Sequence, residues 1–399
     1  MPTGTPFHPR TASLCHSHAW RHWSGYVVAT SYNDFVQPEY AAIRHAAALI
    51  DVSPLYKYRI AGPDAEVLID RVITHDASRM EPGRIVYTPW CDPDGAVRQE
   101  GTVFRLGERE FMQCAAEPTY AWLKLNARGL DVTIADRSTE IAALSVQGPA
   151  SRTVLTEVAT GAPVEALKFF HWCEGEIAGV PVTVSRTGYT GDLGYEVWCP
   201  ASEALRVWDA LIEGGRPHHL TPCGLAAMDV ARVEAGFVLL NVDYISSEVA
   251  RLPAHKATPY ELGLGWAVRL DKSRRCVGHA ALAAEKERGP RRRVVGIEID
   301  WQPLEDLHLE AGLMPDLPLL PCREPVPVYA AGGGPQIGRV TTRVWSQLLK
   351  KYIGLATLDA EHAAEGSHVD MELTVDFVRR RAPARVVKTP FFRPERMRA

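Results

Sequence analysis

No two of the chain's eight cysteines (Cys15, Cys91, Cys114, Cys173, Cys199, Cys223, Cys276 and Cys322) form a CxxC pair. This argues against a secreted disulfide framework and against a zinc site built from cysteine pairs. His218 and His219 have no third ligand at a familiar spacing, so no metal is expected. No stretch approaches the roughly 18 consecutive apolar residues of a membrane helix. The opening MPTGTPFHPRTASLCHSH lacks the basic-then-apolar layout of a signal peptide. A cytoplasmic location with reduced thiols is the resulting expectation. An excess of one charge is missing too: 44 basic side chains face 48 acidic ones, a net charge of −4. That balance does not point to nucleic acid or an anionic membrane surface and leaves a small molecule as the expected partner.

What is present is an ordinary globular composition, 46% apolar and 23% charged over 399 residues, enough for two or three domains. Residues 1–37 begin with a Pro-, His- and Ser-rich stretch and read as a loosely ordered N-terminal arm. Between 38 and 287, helices and strands interleave without a regular βαβ beat. EYAAIRHAAALI is spaced as a helix, and DVSPLYKYRIAG alternates as a strand. Gly62-Pro63-Asp64 makes a turn that caps the helix AEVLIDRVI. RIVYTPW and AVRQEGTVFRL flank Asp94-Gly95, a strong hairpin turn signal. EALRVWDALIEGG and LAAMDVARVEAG read as further helices. Past the composition break at EKERGPRRR, short β-type segments fill residues 291–393 and predict a small barrel or jelly roll. The fold class is α+β with antiparallel sheets and a C-terminal β-barrel.

The most informative segment is SRTGYTGDLGYEVWCP, residues 185–200. Gly188, Gly191 and Gly194 punctuate a loop between two strands and would let backbone approach a ligand closely. Tyr189 and Tyr195 can offer ring faces. The forked carboxylate of Glu196 suits a heterocycle with adjacent N–H donors, as on a pterin's amino-pyrimidinone edge. A Gly-rich hairpin with a surface Glu fits these residues equally well.

RTGYTGDLGYEV resembles the RTGYTGExGxE signature of glycine cleavage T-proteins, the aminomethyltransferases. The likeness continues in family order from about residue 38 to 393. It takes in EYAAIRHAAALIDVSPLYKYRIAGPDA, CGLAAMDVARVEAGFVLLNVDY, PYELGLGWAVRLDK with CVGHAAL, GRVTTRVWSQLLKKYIGLA and VVKTPFF. The resemblance implies a three-lobed fold around a central channel for tetrahydrofolate, with residues 38–287 as two α+β lobes of the folate-binding region. It implies that Glu196 grips the pterin edge and that Tyr189 and Tyr87 line the pocket. Phe169 and Phe170 flank the ring system, and Arg232 matches a family arginine.

Three positions depart from the family pattern. Thirteen residues after Tyr87, where the motif has its catalytic Asp, stands Glu100, with Gln99 before it. The extra methylene shifts the carboxylate by about 1 Å, enough to alter rate roughly a hundredfold in a preorganised site. Met228 replaces the arginine of the family's "GARD", and Pro54-Leu55 replace His-Met. With Glu196 kept, these changes predict that folate binding persists while the second substrate differs. The leading expectation is a tetrahydrofolate-dependent one-carbon transferase, a demethylase moving a methyl or methylene group from a small methylated donor to N5, with Glu100 as its catalytic group. The alternatives are a glycine-cleavage aminomethyltransferase, served by a lipoyl carrier protein bearing the aminomethyl donor, and a non-catalytic folate-binding protein. RRCVGHAAL lacks the "KGCYxGQE" motif of that last group.

Overall fold

The computed structural model describes residues 2–398. Its larger sheet has seven strands in the order Ala159–Thr160, Trp172–Ile177, Val180–Ser185, Gly194–Pro200, Ile141–Gln147, Ala47–Asp51, Leu220–Pro222. Every pairing in it is antiparallel except that of Leu220–Pro222 with Ala47–Asp51. A five-stranded antiparallel sheet follows the order Ile85–Cys91, Val97–Gly107, Glu110–Ala115, Tyr56–Ala61, Thr133–Asp136. Six antiparallel strands between Arg292 and Val387 close into a barrel. The α+β class and the terminal barrel are therefore as the sequence predicts.

Four local expectations need correction. Residues 1–37 do not form a loose arm. Helix His8–Leu14 lies between the first strand, Thr3–Gly4, and the other two strands of a small three-stranded sheet, and Phe7 is fully buried in the core of the larger sheet against Trp208, with ring centroids 5.8 Å apart. A Pro- and His-rich composition hides this, because the anchoring comes from one aromatic and from the Thr5 hydroxyl, which donates to Asp51 at 2.6 Å. The helical reading of EYAAIRHAAALI holds only for Gln37–His45. Ala47–Asp51 is a central strand, buried on both faces, where an unbroken apolar run carries no periodicity. Asp64 does not cap its own helix: its carboxylate accepts from the backbone N–H of Asp131 at 2.8 Å. Helix Trp301–Leu309 lies within the stretch read as wholly β.

Helix Leu225–Glu234 joins the lobes, and nine of its ten residues are buried. Its two terminal charges meet partners from distant parts of the chain. Arg44 donates to Glu234 at 2.6 Å, and Ser346 of the barrel also donates to Glu234. Arg232 donates to Asp229 at 2.8 Å, to Asp243 at 2.6 Å and to Thr342 of the barrel at 3.1 Å. Buried ions are tolerated only when paired and hydrogen-bonded in this way.

Candidate active site

A cavity of about 620 Å³ opens between the two sheets and the barrel. That is the size range of small-molecule and cofactor sites. Its wall draws on all three lobes. Tyr87 comes from the five-stranded sheet, Phe169, Phe170 and the Thr187–Gly194 loop come from the larger sheet, and Val294, Thr389 and Arg398 come from the barrel and its tail.

Alternation along the strands decides which side chains reach this space. Tyr87 pairs with Thr102 and Pro89 pairs with Glu100 across the antiparallel hairpin, so Tyr87 and Glu100 share one face. Trp90 pairs with Gln99 and takes the opposite face. Gln99 is accordingly a packing residue, accepting from the Glu117 N–H at 3.1 Å. In the returning strand, Gly194 and Glu196 fall on one face while Tyr195 turns into the core and its hydroxyl accepts from Arg152 at 3.0 Å. The ring of Tyr195 therefore has no part in the site.

Neither Glu100 nor Glu196 belongs to the cavity wall itself; each stands immediately behind it. Thr187, in the wall, donates its hydroxyl to Glu196 at 2.6 Å. Burial raises the Glu196 pKa above the ordinary carboxylate range, partly offset by hydrogen bonds from Thr187 and Ser185 and by the charge of Lys57. Glu100 sits beside the wall tyrosines Tyr87 and Tyr189, whose own pKa values burial and its charge push upward. The Oε2 atom of Glu100 is buried with no hydrogen-bond partner. Desolvation, helped by the charge of Asp243 and opposed by its own backbone N–H, pushes its pKa up to about 8. At neutral pH this is a carboxylic acid holding its proton in an apolar setting.

The aromatic residues are brought together. Phe169 and Phe170 pack edge to face with centroids 4.7 Å apart. The N–H of Ile85 donates to the Phe170 carbonyl at 2.9 Å, so this pair bridges the two sheets. Tyr189 spends its hydroxyl on the Val238 carbonyl and leaves its ring for the cavity, tilted against Phe237 at 5.5 Å. Tyr87 stacks with Trp266 at 6.2 Å.

Arg232 is not brought to this site. Its guanidinium is consumed by Asp229, Asp243, Thr342 and the Phe237 carbonyl, so a cofactor-binding role gives way to a structural one. The loop glycines Gly188, Gly191 and Gly194 all line the cavity, and two of them also answer a packing demand. A Cβ at Gly188 or Gly194 would lie 2.2 Å or 2.1 Å from Gln147 Oε1, so both are required by that side chain. Gln147 in turn donates to the carbonyls of Thr187 and Tyr195 and accepts from Thr190. Only Gly191 adopts a left-handed φ, +67°.

The sequence reading missed Thr187, Trp266, Phe237 and the tail residue Arg398. Of these, Thr187, Phe237 and Trp266 carried a signal, since they stand in RTGYTGDLGYEV, CGLAAMDVARVEAGFVLLNVDY and PYELGLGWAVRLDK, three stretches that carry the resemblance. Among the described residues, no group of three His, Cys, Asp or Glu side chains could hold a metal ion, and no helix is long and apolar enough to cross a membrane.

Comparison with known proteins agrees with this fold. The family described as GCVT N-terminal domain matches residues 9–272, and the glycine cleavage T-protein C-terminal barrel domain matches residues 292–393. The chain is 35% identical to an aminomethyltransferase of Bacillus subtilis over 363 residues, 90% of this chain and 91% of that protein. It is likewise 35% identical to an aminomethyltransferase of Geobacillus thermodenitrificans, with 90% of each chain covered. In fold it is similar to the crystal structure of the glycine cleavage system aminomethyltransferase T from Bartonella henselae. That similarity has a TM-score of 0.82 at 22% identity and covers 98% of this chain and 99% of that one.

Proposed function

The chain belongs to the glycine cleavage T-protein family and is a one-carbon transferase of that family's class; from that premise we propose that it transfers an aminomethyl-type one-carbon unit to tetrahydrofolate, with Glu100 as the acid that releases the amine. The observation that carries this reading is the Glu100 carboxyl, buried, unpartnered at Oε2 and protonated up to about pH 8, beside two wall tyrosines.

A cavity with an aromatic pair on one side and, just behind its wall, the protonated Glu100 and the hydrogen-bonded carboxyl of Glu196 fits a flat, nitrogen-rich bicycle with an aryl tail. Tetrahydrofolate, when bound, supplies the nucleophilic N5. Glu196 and Thr187 orient the pterin edge through donor–acceptor pairing, and Phe169, Phe170 and the ring of Tyr189 fix its plane. Glu100 gives its proton to the departing amine as the C–N bond of the donor breaks, and the carboxylate left behind takes up the proton released by the folate nitrogen that forms the first new C–N bond. When the second folate nitrogen bonds to the same carbon, the C–S bond breaks and that nitrogen's proton goes to the departing lipoyl thiolate. The apolar walls exclude water and keep Glu100 neutral between turnovers.

A neutral acid at this position favours an amine leaving group over a sulfonium or quaternary ammonium methyl donor, whose leaving group departs uncharged and needs no proton. The similar proteins of Bacillus subtilis and Geobacillus thermodenitrificans, both aminomethyltransferases, point the same way. Demethylation of a small donor remains the second reading. It is favoured by Glu in place of the family's Asp at 100 and by Met228 in place of the arginine. The deciding experiment incubates the chain with tetrahydrofolate and either an aminomethyl-lipoyl carrier protein or a panel of methylated donors. Release of ammonia with methylene-tetrahydrofolate supports the proposal. Methyl-tetrahydrofolate from a methylated donor alone would transfer the conclusion to the second reading.

A further inference from the structure

The cavity carries its charges at two ends of different character. Behind its inner wall stand Glu100 and Glu196, both shifted toward their protonated forms. At the Phe169 edge stand two arginines, Arg84 and Arg398, both part of the cavity lining. Arg84 reaches only the Phe169 carbonyl at 3.5 Å and His171 Nδ1 at 3.3 Å, contacts at the long end of hydrogen bonding. The Arg398 guanidinium carbon lies 5.7 Å from the centroid of the Phe169 ring. Among the described residues neither arginine has a carboxylate within 4.0 Å. The carboxylate of the cavity wall, Asp192, is already engaged by Arg44 and Arg396.

Arg398 is held where it is by its neighbour. Arg396 donates to Asp192 at 2.6 Å and 2.9 Å in a two-point pair, and to the Arg44 carbonyl at 3.3 Å. This clamp folds the last described turn back across the cavity mouth, so that Met397 and Arg398 join its lining. Met228, where the family pattern has an arginine, is absent from that lining. A ligand with a donor-rich ring at one end and carboxylates at the other would therefore meet its cations at the mouth, from Arg84 and the tail.

We propose that Arg84 and Arg398 form a two-pronged carboxylate grip on the glutamyl tail of the bound folate, with Phe169 as the platform between them. The C-terminal turn is then part of the binding site. This inference rests on the folate reading above. Guanidinium groups suit the task because their fork matches a carboxylate. A grip at a solvent-facing mouth weakens with salt.

The test measures dissociation constants of the full chain for two stable probes. One is 5-formyltetrahydrofolate with a single glutamate; the other is the N-methylamide of 5-formyltetrahydropteroate, which keeps the ring system and the amide and carries no carboxylate. Arg84→Gln and Arg398→Ala are each expected to weaken binding of the first probe about tenfold, and the double variant more than either, while the second probe binds as it does to the unaltered chain. Retained binding of the second probe also shows that the variants are folded. If both variants hold the glutamate-bearing probe as tightly as the unaltered chain, the grip is refuted and the folate reading stands. An equal loss for both probes refutes it as well, because the arginines would then act on the ring or on the fold. If the unaltered chain binds neither probe, the folate reading itself fails and this inference goes with it.

Discussion

Two sets of buried charge lie close together in this molecule, and they are treated in opposite ways. Around helix Leu225–Glu234 every ion is answered: Arg232 has Asp229, Asp243, Thr342 and a carbonyl, and Glu234 has Arg44, Tyr40 and Ser346. At the cavity Glu100 is left with an orphaned oxygen and responds by keeping its proton. Burial costs both sets desolvation free energy. Where partners offset that cost the result is a rigid joint between lobes. Where they do not, the result is a displaced pKa ready for proton transfer. Completeness of pairing, more than burial, separates structural charge from chemical charge here.

The strongest way to break this comparison is to unpair the joint. Arg232→Met takes the arginine from buried Asp243 and leaves Asp229 with Arg323 alone, and the chain should lose about 3–5 kcal/mol of stability. Urea denaturation reads this directly. A loss under 1 kcal/mol would mean that the network is not what binds the helix to the barrel.

Glu100→Gln makes the reverse change, removing the ionisable proton while keeping size and burial. Turnover should fall by roughly 10²–10⁴-fold with the fold intact. In the unaltered chain the acid-dependent rate should hold at low pH and decline as pH rises through about 8, a limb that the variant lacks. Stability carries the same mark. A carboxyl whose folded pKa is raised retains its proton in the folded chain while the unfolded chain has released it. Its contribution is therefore full below the ordinary carboxylate range of about 4.3 and is lost as pH rises through about 8. Denaturation midpoints that fall equally with pH in both proteins across that window would remove Glu100 as the titrating group.

Glu196→Ala should sharpen the contrast from the other side. Glu196 is partly answered, by Thr187, and its loss should weaken tetrahydrofolate binding about tenfold to a hundredfold with little change in stability. Undiminished affinity would refute its place at the pterin edge.

How far these two sets were legible in the sequence follows the range of the interactions. Strand alternation and the Asp94-Gly95 turn are local, and they suffice to put Glu100 and Tyr87 on one face of a hairpin. Glu196 and Tyr189 were readable from a motif of a dozen residues. Arg232 was not, because the side chains that consume it include Thr342, 110 positions away. Gly188 and Gly194 do line the cavity, but the packing demand on them was not legible, because it comes from Gln147 on another strand. Phe7 and Arg398, near the two ends of the chain, reach the core and the cavity through contacts that no local pattern announces.

The smallest expected effect belongs to the pair that lies between the two sets. Asp192 is buried and already holds Arg44, whereas its second partner, Arg396, is 37% exposed. Arg396→Ala should therefore cost no more than about 1 kcal/mol of stability, since Asp192 keeps its interior partner and the lost contact is open to solvent. If the clamp serves only stability, that small change in denaturation midpoint is all that follows. If it also holds the tail across the cavity mouth, the same variant should weaken binding of glutamate-bearing tetrahydrofolate by about threefold to tenfold, a loss that Arg398→Ala would not deepen further, because two substitutions in one chain of dependence are not additive. Fully additive losses in the double variant would show that Arg396 and Arg398 act separately and that the tail needs no anchor.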